Sequence, residues 1–414
     1  MRKKGLIGRP DGLGLLFLLF MLFSSWRLAA QESTVMEVSS PCYATELPWP
    51  MGLQTGLDSL LRDTLFETSV VGIYVYDLTA DSVLYRFNAR QRLRPASTMK
   101  LVTAITALDL PGGLSPYATE LRVSGRVEGG VLHGDVYVVG GFDPCFDRTD
   151  MEAFCDAFCQ AGIDSVAGGL WADVSMKDTL KWGSGWCWDD DCEVLTPLPY
   201  NKKDEFIPVL SQSLAARGIR LGGSSGKAVC PSSSRLLVRR THPADQVLLT
   251  MMKESDNLFA ESMFYRIAAH GGRKYASARE AREVVHNLIR RMGFRPDDYR
   301  IADGSGLSLY NYLTPELEVA FLRYAFHNES VFYHLYLSLP VAGEDGTLKK
   351  RMRTGAAYGN VRAKTGTVEG VVTLAGYATT SNGHQLAFSI MNQGVSRARL
   401  GRDFQDAVCQ WLCR

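Results

Sequence analysis

The sequence has almost no excess of charge of either sign. Its 414 residues include 45 lysines and arginines and 44 aspartates and glutamates, a formal net charge of +1. Proteins that bind nucleic acid or an anionic membrane surface by charge carry a basic excess, so this balance supports neither partner. Hydrophobic residues make up 46% of the chain, enough for a sizeable core. The length predicts two domains, or one large domain with an insertion.

Signatures of phosphate and metal binding are also missing. The glycine-rich residues 131–141 contain neither G-x-G-x-x-G nor G-K-[ST], so a plain turn is favoured over a nucleotide site. No pair of the nine cysteines has the two-residue spacing of a zinc knuckle, and no histidine lies beside them. We therefore expect no metal and no cofactor. The cysteines are instead consistent with an oxidising compartment, and their odd number leaves at least one thiol unpaired within the chain.

Long apolar runs are confined to the start of the chain. The basic residues Arg2, Lys3 and Lys4 precede an apolar stretch over 13–23 that is too short to span a bilayer comfortably, and small residues follow at 28–30. This pattern predicts a signal peptide over residues 1–30 and an exported mature chain, although an uncleaved anchor remains an alternative.

Periodicity and turn signals predict an α+β fold. Strands are expected over 70–76, 82–87, 361–364, 371–379 and 385–391, and helices over 57–65, 97–110, 151–161, 243–254, 258–269, 276–292, 315–326 and at the C-terminus. This order predicts an antiparallel sheet that combines the first and last strands, with helices on its faces. Residues 118–236 are rich in glycine and short apolar runs, which indicates an inserted, mostly β domain. The catalytic domain then comprises 31–117 and 237–414.

A possible nucleophile and base occur together at Ser97-Thr98-Met99-Lys100, at the start of a predicted helix. Residues three apart lie on one face of a helix, so the hydroxyl of Ser97 and the amine of Lys100 should be neighbours. None of the seven histidines falls in or beside the motifs described here, so the base has to be a lysine. Lysine acts as a base only when neutral, and burial near a second ammonium lowers its pKa.

Two further motifs follow in the chain. Ser255-Asp256-Asn257 lies between two predicted helices, and Lys364-Thr365-Gly366-Thr367 lies on a predicted strand. S-x-x-K, S-D-N and K-T-G in this order form the signature of penicillin-recognising serine enzymes. Each motif alone is weak, but three in the correct order behind an export signal are hard to attribute to coincidence.

The residue types suit acyl transfer. Ser97 is the expected nucleophile, Lys100 the expected base, and Ser255 the expected relay of a proton to the leaving amine. Lys364 supplies the second ammonium that helps keep Lys100 neutral. The backbone N–H groups of Ser97 and Thr367 are the expected oxyanion hole.

The remaining motif residues suit substrate binding. The amide of Asn257 can orient a substrate carbonyl or side chain. Lys364, with the hydroxyls of Thr365 and Thr367, suits a terminal carboxylate by charge and hydrogen bonding. Gly366 allows the substrate backbone to approach the strand closely.

Longer segments around these motifs resemble a known family. Residues 254–261, 303–308 and 339–348 are similar to the low-molecular-mass class C penicillin-binding proteins, the D-alanyl-D-alanine carboxypeptidase/endopeptidase family. Residues 134–141 resemble the entry into that family's inserted region. The resemblance covers most of the chain after residue 55.

The resemblance implies a β-lactamase/transpeptidase-like catalytic domain, interrupted between the first and second motifs. It also implies a periplasmic or wall-facing enzyme that acts on peptidoglycan stem peptides and is inhibited covalently by β-lactams. The family's catalytic roles fall on Ser97, Lys100, Ser255, Asn257, Lys364 and Thr365. The gap from Ser97 to Ser255 is shorter than in members with two inserted domains, so we expect one. Leu309 stands where the family often has arginine.

Two alternatives remain at this level. A serine β-lactamase of the same fold is disfavoured because no Glu-x-x-Leu-Asn occurs between Asn257 and Lys364 and because the insertion is foreign to a compact lactamase. A non-catalytic wall-binding or sensor protein is disfavoured because every motif residue is present. The sequence does not separate carboxypeptidase from endopeptidase activity, and it leaves the oligomeric state open.

Overall fold

The structure, a computed structural model, describes residues 48–414 of the chain. The predicted signal peptide over 1–30 lies outside the described residues. The helices are α1 (Met51–Leu60), α2 (Met99–Asp109), α3 (Arg148–Gln160), α4 (Phe206–Ala216), α5 (Ala244–Lys253), α6 (Asn257–Ala268), α7 (Ala278–Arg291), α8 (Pro315–Phe326), α9 (Glu329–Ser338) and α10 (Ala398–Leu412). The strands are β1 (Val70–Asp77), β2 (Ser82–Phe87), β3 (Tyr117–Val123), β4 (Arg126–Glu128), β5 (Val131–His133), β6 (Val136–Gly140), β7 (Ser165–Val166), β8 (Leu170–Asp173), β9 (Arg220–Leu221), β10 (Ser225–Lys227), β11 (Arg235–His242), β12 (Arg362–Val368), β13 (Val371–Thr379) and β14 (Gln385–Gln393).

A five-stranded antiparallel sheet lies at the centre of the catalytic part. Its strand order is β12-β13-β14-β1-β2, so strands from both ends of the described chain share one sheet. Val70 of β1 and Val371 of β13 both lie opposite Gln393 of β14. A turn through Asn382-Gly383 connects β13 to β14. The expected α+β topology is therefore confirmed.

Helices pack on both faces of this sheet. On one face, α2, α5, α6 and α8 share a core that includes Met99 and Phe264. On the other face, α1 and α10 pack through Leu57 and Val408. Every residue of α2 from Met99 to Leu108 is buried, as expected for a helix enclosed by protein. Since each buried large apolar side chain contributes about 1.5–3 kcal/mol, α2 holds the turn at its N-terminus firmly in place.

The segment between the two parts of the catalytic domain builds two more sheets, with orders β10-β8-β6-β3-β11 and β4-β5-β7-β9. They share a core with α3 and α4, in which Leu121, Phe154 and Leu210 are fully buried. Helix α4 is an element that periodicity does not predict. The domain boundaries at 117/118 and 236/237 stay a prediction. Strand β11 runs across the second boundary, and residues 48–414 all fall within one compact unit.

The predicted helix over 57–65 is wrong in position. Helix α1 begins at Met51, directly after Pro50, and ends at Leu60. Its glycines weaken the local helix signal, but a Cβ on residue 56 would lie 2.4 Å from the ring of Trp411. Gly56 therefore allows α1 to pack closely on α10, and this tertiary contact outweighs local propensity. Helix α9 is a second element that the sequence pattern does not predict.

Residues 48–414 also show the state of eight cysteines and whether any helix there could span a membrane. Eight of the nine cysteines fall within them, and all eight are free. Across residues 48–414, the search for a helix that is both long enough and apolar enough to span a bilayer finds none.

Candidate active site

Ser97 lies in a tight turn that leads into α2. Residues Ala96–Thr98 form one 3-10 turn, and Ala96 has a φ of 46°, in the left-handed region that L-residues rarely adopt. A Cβ on residue 306 would lie 1.8 Å from the Ala96 carbonyl oxygen, so Gly306 lets the neighbouring loop approach this strained turn. The strain marks a position that the surrounding structure holds in place, as is common at functional sites.

Lys100 lies one turn into this helical run and is fully buried. Its Nζ lies 3.0 Å from the Ser97 Oγ, 2.7 Å from the Asn257 Oδ1 and 2.8 Å from the Ser305 carbonyl oxygen. Two of these partners are pure acceptors. A neutral amine that donates to both directs its lone pair at the Ser97 hydroxyl, which is the arrangement a general base needs.

The environment of Lys100 favours the neutral amine. Burial lowers the pKa of Lys100 to about 8, against the opposing charges of Asp303 and Glu261. Burial, followed by the charge of Asp303, raises the pKa of Glu261 to about 8. At pH 7 about a tenth of Lys100 is therefore unprotonated without help from a histidine.

The second motif lies between α5 and α6. Ser255 has a φ of 61°. The Asp256 carboxylate caps α6 by accepting a hydrogen bond from the Phe259 N–H at 3.1 Å. Asn257, the first residue of α6, accepts from Lys100 through Oδ1 and donates through Nδ2 to the Asp191 carbonyl oxygen at 2.8 Å. The three side chains of the motif therefore have different partners: Ser255 contacts Lys364, Asp256 caps α6, and Asn257 contacts Lys100.

Lys364 on β12 is also fully buried. Its Nζ donates to the Ser255 Oγ at 2.8 Å and to the Thr365 carbonyl oxygen at 2.7 Å. Burial, with a smaller effect from the Lys100 charge, lowers the pKa of Lys364 well below its ordinary value. Lys364 thus faces the Ser255 hydroxyl, and its part in holding a substrate carboxylate stays a prediction.

Gly366 brings β12 against the turn that carries Ser97. A Cβ at this position would lie 2.1 Å from the Thr373 Oγ1 and 2.9 Å from both the Pro95 carbonyl oxygen and the Ser97 nitrogen. Any side chain here would push the strand away from Ser97. Besides the expected closeness to substrate, Gly366 is needed for the packing of the site itself.

An open cleft of about 660 Å³ lies beside these groups. Ser97, Ser255, Thr365 and Thr367 line it, together with basic residues of the 349–351 segment and of α10. Hydrogen bonds join Ser97, Lys100 and Asn257 into one cluster and Ser255 and Lys364 into another. The structure therefore brings all eight predicted site residues together. In the described part of the chain, no cluster of three metal-binding side chains occurs.

Three contributors to the site were not predicted from the sequence: the Ser305 carbonyl, Glu261 and Glu318. The Glu261 carboxylate accepts from the backbone N–H groups of Gly304 and Ser305 at 3.0 and 2.8 Å, which fixes the carbonyl that Lys100 binds. A signal for Glu261 exists, because it lies four residues after Asn257 and so on the same face of α6. No local pattern indicates Glu318.

Glu318 contacts the turn that carries Ser97 from the side of the protein core. Its carboxyl group is fully buried and lies 2.5 Å from the Thr98 Oγ1 and 2.8 Å from the Ser389 Oγ. The Thr98 hydroxyl has one proton and also lies 2.7 Å from the Pro95 carbonyl oxygen. A protonated Glu318 can donate to Thr98 while Thr98 donates to Pro95. Burial raises the pKa of Glu318 to about 7, in agreement with this arrangement.

We expect Glu318→Gln to remove a pH dependence of stability. The folded-state pKa of Glu318 lies above its ordinary value, so the folded state holds the extra proton and its stabilisation is lost as pH rises from about 5 through 7. The free energy of unfolding of the wild type should fall by roughly 1–3 kcal/mol more than that of the variant between pH 5 and 8. Denaturant unfolding of both proteins measures the difference, and parallel pH profiles would show that Glu318 is ionised throughout.

The fold and the site together define a class of protein. An antiparallel sheet combining both ends of the chain, covered by helices and carrying a serine–lysine pair beside S-D-N and K-T-G motifs, belongs to the penicillin-recognising serine peptidases. The chain belongs to the D-Ala-D-Ala carboxypeptidase 3 (S13) family, whose model matches residues 53–201 and 199–414. The family resemblance seen in the sequence is thereby confirmed.

The sequence is similar to individual members of this family over most of their length. The chain is 24% identical over 425 residues to D-alanyl-D-alanine carboxypeptidase DacB of Haemophilus influenzae, covering 82% of this chain and 88% of the relative. It is 27% identical over 441 residues to the D-alanyl-D-alanine carboxypeptidase of Actinomadura sp. strain R39, covering 83% and 81%.

Solved structures show the same fold. Penicillin binding protein 4 (dacB) from Haemophilus influenzae superposes with a TM-score of 0.78 at 23% identity, covering 86% of this chain and 97% of that one. The predatory endopeptidase Bd3459 of Bdellovibrio bacteriovorus superposes with a TM-score of 0.54 at 18% identity, covering 82% and 91%.

Proposed function

We infer that this protein is a serine D-alanyl-D-alanine peptidase that cleaves peptidoglycan stem peptides through an acyl-enzyme on Ser97. The observation that carries this inference is the 3.0 Å contact between the buried Lys100 Nζ and the Oγ of Ser97, a residue that lines an open cleft. Family membership supports the substrate class, because the relatives are named D-alanyl-D-alanine carboxypeptidases. Inhibition by β-lactams is supported by Bd3459, which has been solved in a penicillin G acylated form.

The reaction proceeds in two steps. In acylation, the Ser97 Oγ bonds to the carbonyl carbon of the penultimate D-alanine while its proton passes to the neutral Lys100. The bond to the last D-alanine breaks, and its nitrogen receives the proton held by Lys100, relayed through the hydroxyl of Ser255, whose Oγ accepts a hydrogen bond from Lys364; Lys100 is then neutral again. In deacylation, water attacks the ester carbonyl and neutral Lys100 takes a proton from this water. The bond between the carbonyl carbon and the Ser97 Oγ then breaks, Lys100 returns the proton to the Oγ, and the shortened peptide leaves as its carboxylic acid.

The site supports an extended peptide beside β12. This strand is the edge of its sheet, so residues 365–367 have backbone groups that a substrate strand can pair with. We assign the oxyanion hole to the N–H groups of Ser97 and Thr367, each donor contributing roughly 3–4 kcal/mol to the transition state. Asn257 orients the acyl part of the substrate, and Thr365 and Thr367 bind its terminal part.

The setting of the enzyme follows from its substrate. Peptidoglycan stem peptides lie outside the cytoplasmic membrane, so we propose that the chain is exported and acts in the periplasm or facing the cell wall. The partners are the stem peptide and, as covalent inhibitors, β-lactams. The balanced charge of the sequence supports no nucleic-acid partner.

Incubation of the purified enzyme with diacetyl-L-lysyl-D-alanyl-D-alanine and with purified muropeptides tests the proposal. We expect release of D-alanine, detected by mass spectrometry, and a long-lived acyl-enzyme with labelled penicillin. Rapid turnover of penicillin without D-alanine release would identify a β-lactamase. Absence of acylation altogether would identify a binding or sensor protein. Muropeptide products also separate carboxypeptidase from endopeptidase cleavage, because only the latter opens cross-bridges.

A further inference from the structure

The active-site cleft has a strongly basic side beyond the K-T-G strand. Five of the residues that line it are basic: Lys349, Lys350, Arg351, Arg399 and Arg402. Two are acidic, Asp403 and Asp406. A cleft with an excess of one charge attracts and orients a ligand group of the opposite charge. This side of the cleft therefore suits an anionic part of the substrate.

Two of the five basic side chains already form ion pairs with carboxylates of the protein. The Arg351 Nη2 lies 2.6 Å from the Asp406 Oδ1, and the Arg399 Nε lies 3.4 Å from the Asp403 Oδ2. Among residues 48–414, no carboxylate lies within 4 Å of the charged groups of Lys349, Lys350 or Arg402. These three residues are exposed, and their charge is available to a ligand.

Arg402 is the cation that reaches the motif strand. Its Nη2 lies 3.5 Å from the Thr367 Oγ1, so the guanidinium and this hydroxyl face the same space beside the nucleophile. The helix that carries Arg402 is firmly placed. Gln405 donates from Nε2 to the Val372 carbonyl oxygen at 3.0 Å, and Gly401 packs against the Val372 side chain. The helix therefore holds the backbone of Arg402 beside the cleft, and the contact with Thr367 places its guanidinium where it can bind a carboxylate.

Lys364 is poorly placed for the same task. Its ammonium is fully buried and already donates to the Ser255 Oγ and the Thr365 carbonyl oxygen. A carboxylate in the open cleft meets the Arg402 guanidinium and the Thr367 hydroxyl first. Arg402 is thus placed to recognise the substrate carboxylate, and Lys364 is placed to assist the proton relay through Ser255.

We propose that Arg402, together with the Thr367 hydroxyl, binds the carboxylate adjacent to the leaving nitrogen of the substrate and so makes the enzyme selective for peptides in which this carboxylate is free. The proposal rests on the proposed function and names the residue that selects its substrate. Arg402 is a specificity residue, because it contacts the leaving group and takes no part in proton transfer, which Lys100 and Ser255 carry out.

The test compares diacetyl-L-lysyl-D-alanyl-D-alanine with its C-terminal carboxamide. The wild type should prefer the free acid, and Arg402→Ala should lower kcat/KM for the acid roughly 10- to 100-fold, the range for a lost hydrogen bond to a charged group. The same variant should change kcat/KM for the carboxamide less than about threefold, since an amide offers no charge to the guanidinium. Arg402→Lys should recover part of the loss, because it keeps the charge without the planar fork.

Arg399→Ala is the matched control, because Arg399 lies on the same helix and in the same cleft but pairs with Asp403. It should leave the preference for the acid unchanged. A second readout is the acylation rate with benzylpenicillin and with its methyl ester, where the free carboxylate again distinguishes the two reagents. Equal losses on both members of each pair, or no loss on either, would overturn the role of Arg402. A wild type that cleaves neither peptide and is not acylated would instead overturn the proposed function.

Discussion

The Ser97→Ala variant should neither release D-alanine from a D-alanyl-D-alanine peptide nor become labelled by penicillin. Ser97 carries the hydroxyl that Lys100 contacts at 3.0 Å, and alanine has no atom that can form the acyl-enzyme. Loss of a serine nucleophile reduces turnover by at least about 10⁴-fold in comparable enzymes. Labelling with fluorescent penicillin on a denaturing gel and release of D-alanine by mass spectrometry measure the two losses.

Ser381→Ala serves as the control for this substitution, because Ser381 is exposed in the turn between β13 and β14. It should retain full labelling and activity. Circular dichroism should show that Ser97→Ala is folded, since the change removes one half-buried oxygen. Penicillin attached to another residue of the Ser97→Ala variant would show that the nucleophile is assigned to the wrong serine.

Lys100→Arg should lose acylation although it keeps a positive charge. Arginine does not give up its proton in proteins and so cannot accept the proton of Ser97. The Lys100 amine is also buried in direct contact with Ser97, Asn257 and Ser305, and a planar guanidinium is larger than this amine. We expect a fall in the acylation rate of about 10²–10⁴-fold, the range for removal of a general base. Stopped-flow measurement with a chromogenic cephalosporin follows acylation directly.

The pH dependence of the wild type separates loss of the base from loss of the fold. The pKa of Lys100 is lowered to about 8, so the neutral fraction, and with it the acylation rate, should rise about tenfold between pH 7 and 9. Lys100→Met, which keeps the length of the side chain without a charge, should be slow and independent of pH over this range. Near-normal acylation by either variant, or a flat profile for the wild type, would exclude Lys100 as the base.

The eight predicted site residues were accessible to sequence reasoning because their signals are local. Ser97 and Lys100 are one helical turn apart, Ser255 and Asn257 share a short loop, and the residues from Lys364 to Thr367 share a strand. The spacing within each motif already specifies which side chains can meet. The order of the predicted strands and helices indicated a sheet that combines the first and last strands, and the segments around the motifs indicated the class of enzyme; both are confirmed.

The supporting residues were not accessible in the same way. The Ser305 carbonyl lies 205 positions from Lys100 along the chain, and Glu318 lies 220 positions from Thr98. Each contact depends on how α6, α8 and the loop at 303–308 pack against α2. Arg402 reaches Thr367 because Gly401 lets α10 rest directly on β13. No periodicity or spacing in the sequence encodes such distances.

Residue types and short spacings in this chain were enough to predict which residues share the site, which serine and lysine to propose as nucleophile and base, and the class of enzyme, of which the class is confirmed. The folded arrangement alone determined what each lysine faces: Lys100 meets a hydroxyl and two pure acceptors, and Lys364 meets Ser255 instead of the open cleft. The physical reason is that burial and hydrogen-bond partners, which set the protonation state of an amine, arise from segments distant in the chain that meet only after folding.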